Sequence, residues 1–254
     1  MNFKIFLSPT KNTNLFSIRQ KIVSIPQFNR EAELIVEKLK TKKLEEIAKM
    51  MSISTKIAQL NLDRFNNWKK SCGSEEEFHA IQLYAGEAFK AFDFQTLDKR
   101  YFEKTQETLF IFSGLYGILK PFDLIYPYRL EMGLNYSPNS VDRNLCKFWS
   151  EKLTQFLEIN LKKDDVIFNL ASQEYSNVID FKKLERRVIT PHFKEFKNEK
   201  YASISMFSKN ARGKMARFLI ENELKTIQDL KSYNLDGYSY NEKLSNDNDW
   251  VFVR

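Results

Sequence analysis

The chain opens on an apolar run, Phe3 to Leu7, that stops at Ser8-Pro9 and predicts a buried strand. A helical pattern follows through Glu31 to Leu39. Leu44, Ile47, Ala48 and Met51 then fall at i, i+3, i+4 and i+7, one helical stripe, with Thr41 as the expected N-cap. Ser52-Ile53-Ser54 interrupts it, and Ala58, Leu62 and Phe65 form a second stripe. The pattern therefore predicts a helix, a very short turn and a helix within 41–68.

Ala80 to Tyr84 reads as a strand, Gln95 to Glu107 as a helix, and Leu109 to Phe112 as a strand ended by the turn residues of SGLYG. Arg143 to Ile159 reads as a helix with Leu145, Phe148, Trp149 and Phe156 inward. Val166 to Leu170 and Val188 to Thr190 are further strands, and Pro191 stops the second. Tyr201 to Phe207 alternates with period two, Lys209 to Asn222 is an amphipathic helix, and Trp250 to Val253 closes as a strand. No linker divides the chain and no repeat occurs. The expected fold is a mixed α/β (α+β) single unit over 1–254, with a mixed sheet, flanking helices and a helix-hairpin-helix-like element at 41–68.

Composition sharpens this. The apolar fraction is 43%, and only 7 Gly and 6 Pro occur in 254 residues, so long regular elements are expected. Cys72 and Cys146 are the two cysteines and His79 and His192 the two histidines, with no CxxC and no HExxH. A disulfide scaffold and a zinc site are both disfavoured, and no metal or cofactor is expected. No segment has the ~20 apolar residues of a membrane helix, and the first residues are too short for a signal peptide, so a cytoplasmic protein is expected. The net charge is +7, which suits a polyanionic partner.

Three constellations carry candidate chemistry. In the hairpin, Ser52, Ser54 and Thr55 supply hydroxyls at a helix N-terminus, and Lys49, Lys56 and Arg64 supply charge for a phosphate; an ordinary helical hairpin is the plain alternative. Between Lys182 and Arg217 stand eleven lysines and arginines against three glutamates. Within that segment Lys209, Arg212, Lys214 and Arg217 lie on one predicted helix, and Gly213 there either bares backbone for a ligand or makes room for another helix. The third group is polar: Arg129 and Glu131 in PYRLEMG, then Asn169, Ser172, Glu174 and Tyr175 after a buried strand, where α/β proteins place ligand groups. No nucleophile–base pair is identifiable, so no catalytic residue is assigned. The absence of GxGxxG, Walker and GxSxG motifs argues against dinucleotide, P-loop and hydrolase chemistry.

The strings FLSPTKN, SISTKIAQLNLDRFNNW, SGLYGILKPFDLIYPYRLEMG, LCKFWSEKL, NLASQEY, FSKNARGKMARFLIEN and WVFVR run nearly the whole length. In their content and order the chain resembles the YaaA family of bacterial peroxide-stress proteins. The hairpin departs from the family in lacking glycine, and SPTKN stands where SPAKT is more usual. The resemblance implies a mixed α/β fold and a protein that limits hydrogen peroxide damage, linked to control of free intracellular iron. It also implies binding of double-stranded or branched DNA through the hairpin and a basic cleft, matched here to Leu44–Phe65 and to Lys209, Arg212, Lys214 and Arg217. The alternative is an enzyme acting on a nucleotide or nucleic acid in a cleft of Arg129, Glu131, Asn169, Glu174 and Tyr175. The oligomeric state stays open, with a monomer as the default.

Overall fold

The structure is a computed structural model and describes all residues except 17, 75 and 140. Strand β1, Phe3–Leu7, is followed by helices α1 (Asn29–Lys40), α2 (Leu44–Met51) and α3 (Thr55–Asn67). Strand β2 (Phe78–His79) leads into the short helices α4 (Ala80–Leu83) and α5 (Glu87–Phe92). Two 3-10 turns precede α6 (Phe102–Thr108), then come strands β3 (Leu109–Ser113), β4 (Gly117–Leu119) and β5 (Leu124–Ile125). The second half holds α7 (Leu145–Asn160), β6 (Val166–Leu170), α8 (Gln173–Ser176), α9 (Phe181–Leu184), β7 (Arg187–Lys197) and β8 (Lys200–Ala202). It ends with α10 (Ser205–Glu221), β9 (Ser239–Tyr240) and β10 (Asp249–Val253).

One mixed sheet organises these elements, in the order β4-β3-β1-β6-β7-β10-β9, with β8 paired to β7. The inner pairs β3–β1, β1–β6, β6–β7 and β7–β10 are parallel, and the outer ones are antiparallel. β3 (LFIFS) and β6 (VIFNL) are buried at every position. That continuous burial is the mark of strands covered on both faces. Leu7 pairs with Ile111 on one side and Leu170 on the other, so the carboxyl ends of β1 and β6 are level and β3 runs on past them to Ser113. From β1 the chain builds outward through β3 to β4; later it returns to the other side of β1 and builds outward through β6, β7 and β10. The winding reverses at the β1/β6 pair.

Aromatic packing locks this centre. Phe6 meets Phe110 and Phe112 edge-on, with ring centroids 5.8 and 5.5 Å away. Trp149 on α7 donates its indole N–H to the Gly114 carbonyl at 2.9 Å. A Cβ at Gly114 would stand 2.2 Å from the Leu130 carbonyl oxygen. The SGLYG turn therefore presses on the backbone of the PYRLEMG stretch and fixes Arg129 and Glu131 over the sheet edge.

Several expectations are corrected. Ala80–Leu83 is helical, preceded by the two-residue β2; an apolar run this short carries no usable period. Tyr201–Phe207 is no continuous strand. β8 ends at Ala202, after a tight turn in which Asn198 and Glu199 both have positive φ, and α10 already begins at Ser205. The Ser203 and Ser208 hydroxyls both donate to the Phe193 carbonyl and pin that helix start to β7. Thr41 does not cap α2; Lys43 holds the N-cap position, while the Thr41 hydroxyl donates to the Lys38 carbonyl at the end of α1. The helix expected over Gln95 to Glu107 is broken into 3-10 turns before α6, and Pro191 does not stop its strand, since β7 runs through it to Lys197. No described helix is long and apolar enough to cross a membrane.

Gly213 serves helix packing. A Cβ there would lie 1.9 Å from the Ala88 carbonyl oxygen, so α10 and α5 touch backbone to backbone. In an open helix Gly213→Ala would gain about 1 kcal/mol. Here overpacking costs about 1–3 kcal/mol and the obstructing atom cannot rotate away. The variant is expected to unfold at lower urea than wild type. A midpoint at or above wild type would show that the two helices separate freely.

Candidate functional site

A cleft of about 360 Å³ opens beyond the carboxyl ends of β1 and β6, where the winding reverses. Reversal sends the two following loops apart and leaves a crevice at that edge, the usual ligand position in open α/β sheets. The loops are tied at its base: the Ser8 hydroxyl accepts the Ser172 N–H at 2.7 Å and donates to the Ser172 hydroxyl at 3.1 Å. Glu174 on α8 accepts the Gly133 N–H at 3.3 Å, which links the second loop to the PYRLEMG stretch.

Glu131 is the hub. Its Oε1 accepts Arg129 Nε at 3.0 Å and Nη2 at 2.8 Å, and it pairs with Lys11 Nζ at 3.1 Å. Its Oε2 is buried and has no partner, as is Nε of Arg212 across the lining. Burial pulls the Arg212 guanidinium below its ordinary pKa. Tyr128 shares its hydroxyl with Tyr84 and Ser113, each at 2.6 Å, and burial pushes it up to about 12. Burial, reinforced by Tyr128 and then Glu174, raises Tyr175 well above the usual phenol value. Both phenols are therefore neutral hydrogen-bonding walls rather than bases.

The arrangement regroups the residues singled out in the sequence. Arg129, Glu131, Glu174 and Tyr175 come together, and Lys209 and Arg212 from α10 line the same cleft. Asn169 does not line it; its Oδ1 accepts the Ala171 N–H at 3.2 Å and holds the turn. Lys214 pairs with Asp236 elsewhere. Arg217 pairs with Glu221 at 2.8 Å and donates to the carbonyls of Phe92, Asp93 and Thr96. Arg217, expected with Lys209 on the DNA-binding helix, is therefore turned onto the chain after α5.

The hairpin stands apart. Lys49, Ser52, Thr55 and Lys56 are exposed, and Ser54 caps α3 by accepting the Ile57 N–H at 3.4 Å. Arg64 turns inward to the Thr13 hydroxyl at 3.0 Å, and burial lowers its pKa. Lys11 and Ser8 were not singled out, although the signal was present: they follow the buried strand β1 just as Ser172 and Glu174 follow β6.

Comparison with known proteins places this architecture. The family model described as peroxide stress protein YaaA matches residues 3–244. The chain belongs to the YaaA family of peroxide stress proteins. A UPF0246 protein of Flavobacterium johnsoniae is 40% identical over 252 residues, covering 99% of this chain and 100% of the relative. One from Colwellia psychrerythraea is 40% identical over 98% of each chain. One from Shewanella oneidensis is 41% identical over 90% of each. YaaA membership supports a role in peroxide stress. The matched span contains every residue of the cleft; only β10 lies beyond it.

Arg217 ties α10 to the 92–96 backbone. Arg217→Ala leaves carbonyls without their donor and is expected to cost about 2–3 kcal/mol in urea unfolding. Wild-type stability in this variant would remove Arg217 from the scaffold.

Proposed function

We propose that the protein acts in peroxide stress as a nucleic-acid-binding protein that grips the phosphate backbone of double-stranded or branched DNA without reading its sequence. The observation that carries this reading is the convergence of Lys11, Arg129, Lys209 and Arg212, from three separate stretches of chain, on one cleft edge. Glu131 offsets two of them through a single oxygen. Lys11 and Lys209 are exposed at this edge and suited to phosphate contact. Phosphate contacts position a protein but carry no base information. The exposed turn at Ser52–Lys56 is a second backbone contact in this proposal. A protein lying on phosphates displaces the cations they hold. The link to free iron follows from that: ferrous ions are kept from the sugar–phosphate chain where peroxide would react with them.

Each neutralised phosphate adds roughly 0.9 to the log–log salt slope on duplex DNA. Lys11→Ala with Lys209→Ala is expected to flatten the slope by about 1.8 and to weaken unrelated duplexes equally. Lys56→Ala should flatten it by about 0.9 if the turn also contacts DNA. Fluorescence anisotropy across a salt series measures both. An unchanged slope in the double variant, or a loss confined to one sequence, would contradict the proposal.

A further inference from the structure

Buried polar side-chain atoms without a partner are costly, each about 1–3 kcal/mol. Four such atoms occur among the described residues, and two of them, Glu131 Oε2 and Arg212 Nε, belong to residues that line the switch-point cleft. Glu131 is only 8% exposed, so its free oxygen is shielded from solvent. One atom requires a hydrogen-bond donor and the other offers one. A backbone phosphodiester does not fit this pair, because it brings acceptors only and would face the Glu131 carboxylate.

We propose that the cleft binds a single nucleotide unit, its base edge donating to Glu131 and accepting from Arg212, with its phosphate at the rim by Lys11 and Lys209. A nucleobase edge carries a donor beside an acceptor. The buried aromatic side chains Phe89, Tyr128 and Tyr175 line the same space and suit a flat ring. The volume of about 360 Å³ lies at the small end of ligand sites. Lys11 has 60% of its side chain exposed and so has open solvent in which to meet a phosphate while pairing with Glu131. The nucleotide comes either free from solution or as one residue of a strand. The inference concerns the floor of the cleft, so it stands or falls separately from backbone binding.

Calorimetry on the full chain with three probes decides it: deoxyadenosine monophosphate, inorganic phosphate and a single-stranded deoxyadenylate pentamer. The mononucleotide is expected to bind at least about tenfold more tightly than phosphate, the worth of a hydrogen bond to a charged group. Glu131→Gln, which turns an amide donor toward the ligand, should remove that advantage and leave phosphate binding intact. Arg212→Lys, which keeps the charge but loses Nε, should act the same way and serves if the first variant misfolds. A pentamer about tenfold tighter than the monomer identifies a strand as the source, and equal affinity identifies the free nucleotide. The proposal is overturned if phosphate binds as tightly as the mononucleotide, if the folded variants bind the mononucleotide like wild type, or if no mononucleotide binding occurs at millimolar concentration.

Discussion

The parallel pairing of β1 with β3 on one side and β6 on the other sets the rest of the molecule. It levels the carboxyl ends of β1 and β6 at one edge and makes the chain leave that edge in opposite directions. The crevice so formed would close if the neighbouring stretches slumped into it. Two contacts prevent this: the Gly114 turn wedged under Leu130 and held by Trp149, and the Ser8–Ser172 link between the loops. Aromatic packing of Phe6 on Phe110 and Phe112 keeps β1 and β3 in place below. The site is thus a product of sheet topology, with its side chains delivered by rigid elements and short tied loops.

Charge in this protein is used in two different ways, and net charge does not separate them. Arg217, Lys214 and Arg186 spend their donors on internal carbonyls and carboxylates, where they fasten elements together. Lys11, Arg129, Lys209 and Arg212 converge on a cleft that Glu87, Glu131 and Glu174 also line; one Glu131 oxygen pairs with two of the cations and the other is left over. A buried ion pair is held only where its geometry is good and its remaining valences are met. Glu131 meets the first condition through Arg129 and Lys11, and its Oε2 leaves the second to a ligand.

Local pattern carried the elements well and their assembly poorly. β1, β3 and β6 were legible as apolar runs bounded by turn residues, and α7 as an amphipathic helix. The order of strands was not, because a run such as FKIFL holds no information about its neighbours. The same limit applied to the site. Helical spacing groups Lys209 with Gly213 and Arg217, yet α5 and the chain after it claim two of the three. Placing ligand groups after buried strands found Ser172, Glu174 and Tyr175; applied to β1 as well, it would have found Lys11. The convergence of Glu131 and Arg212 on one cleft joins residues far apart in sequence and could be seen only in three dimensions.

In the proposed mode of binding the crevice at the β1/β6 reversal, and not the α2–α3 turn alone, holds nucleic acid or its nucleotide. Amide hydrogen exchange with and without a saturating oligonucleotide tests it most directly. The account predicts protection of the backbone at 8–12, 129–133 and 172–175 together with the start of α10 at 205–212. Protection confined to the hairpin turn at 52–57, with the crevice segments exchanging as in the free protein, would contradict it.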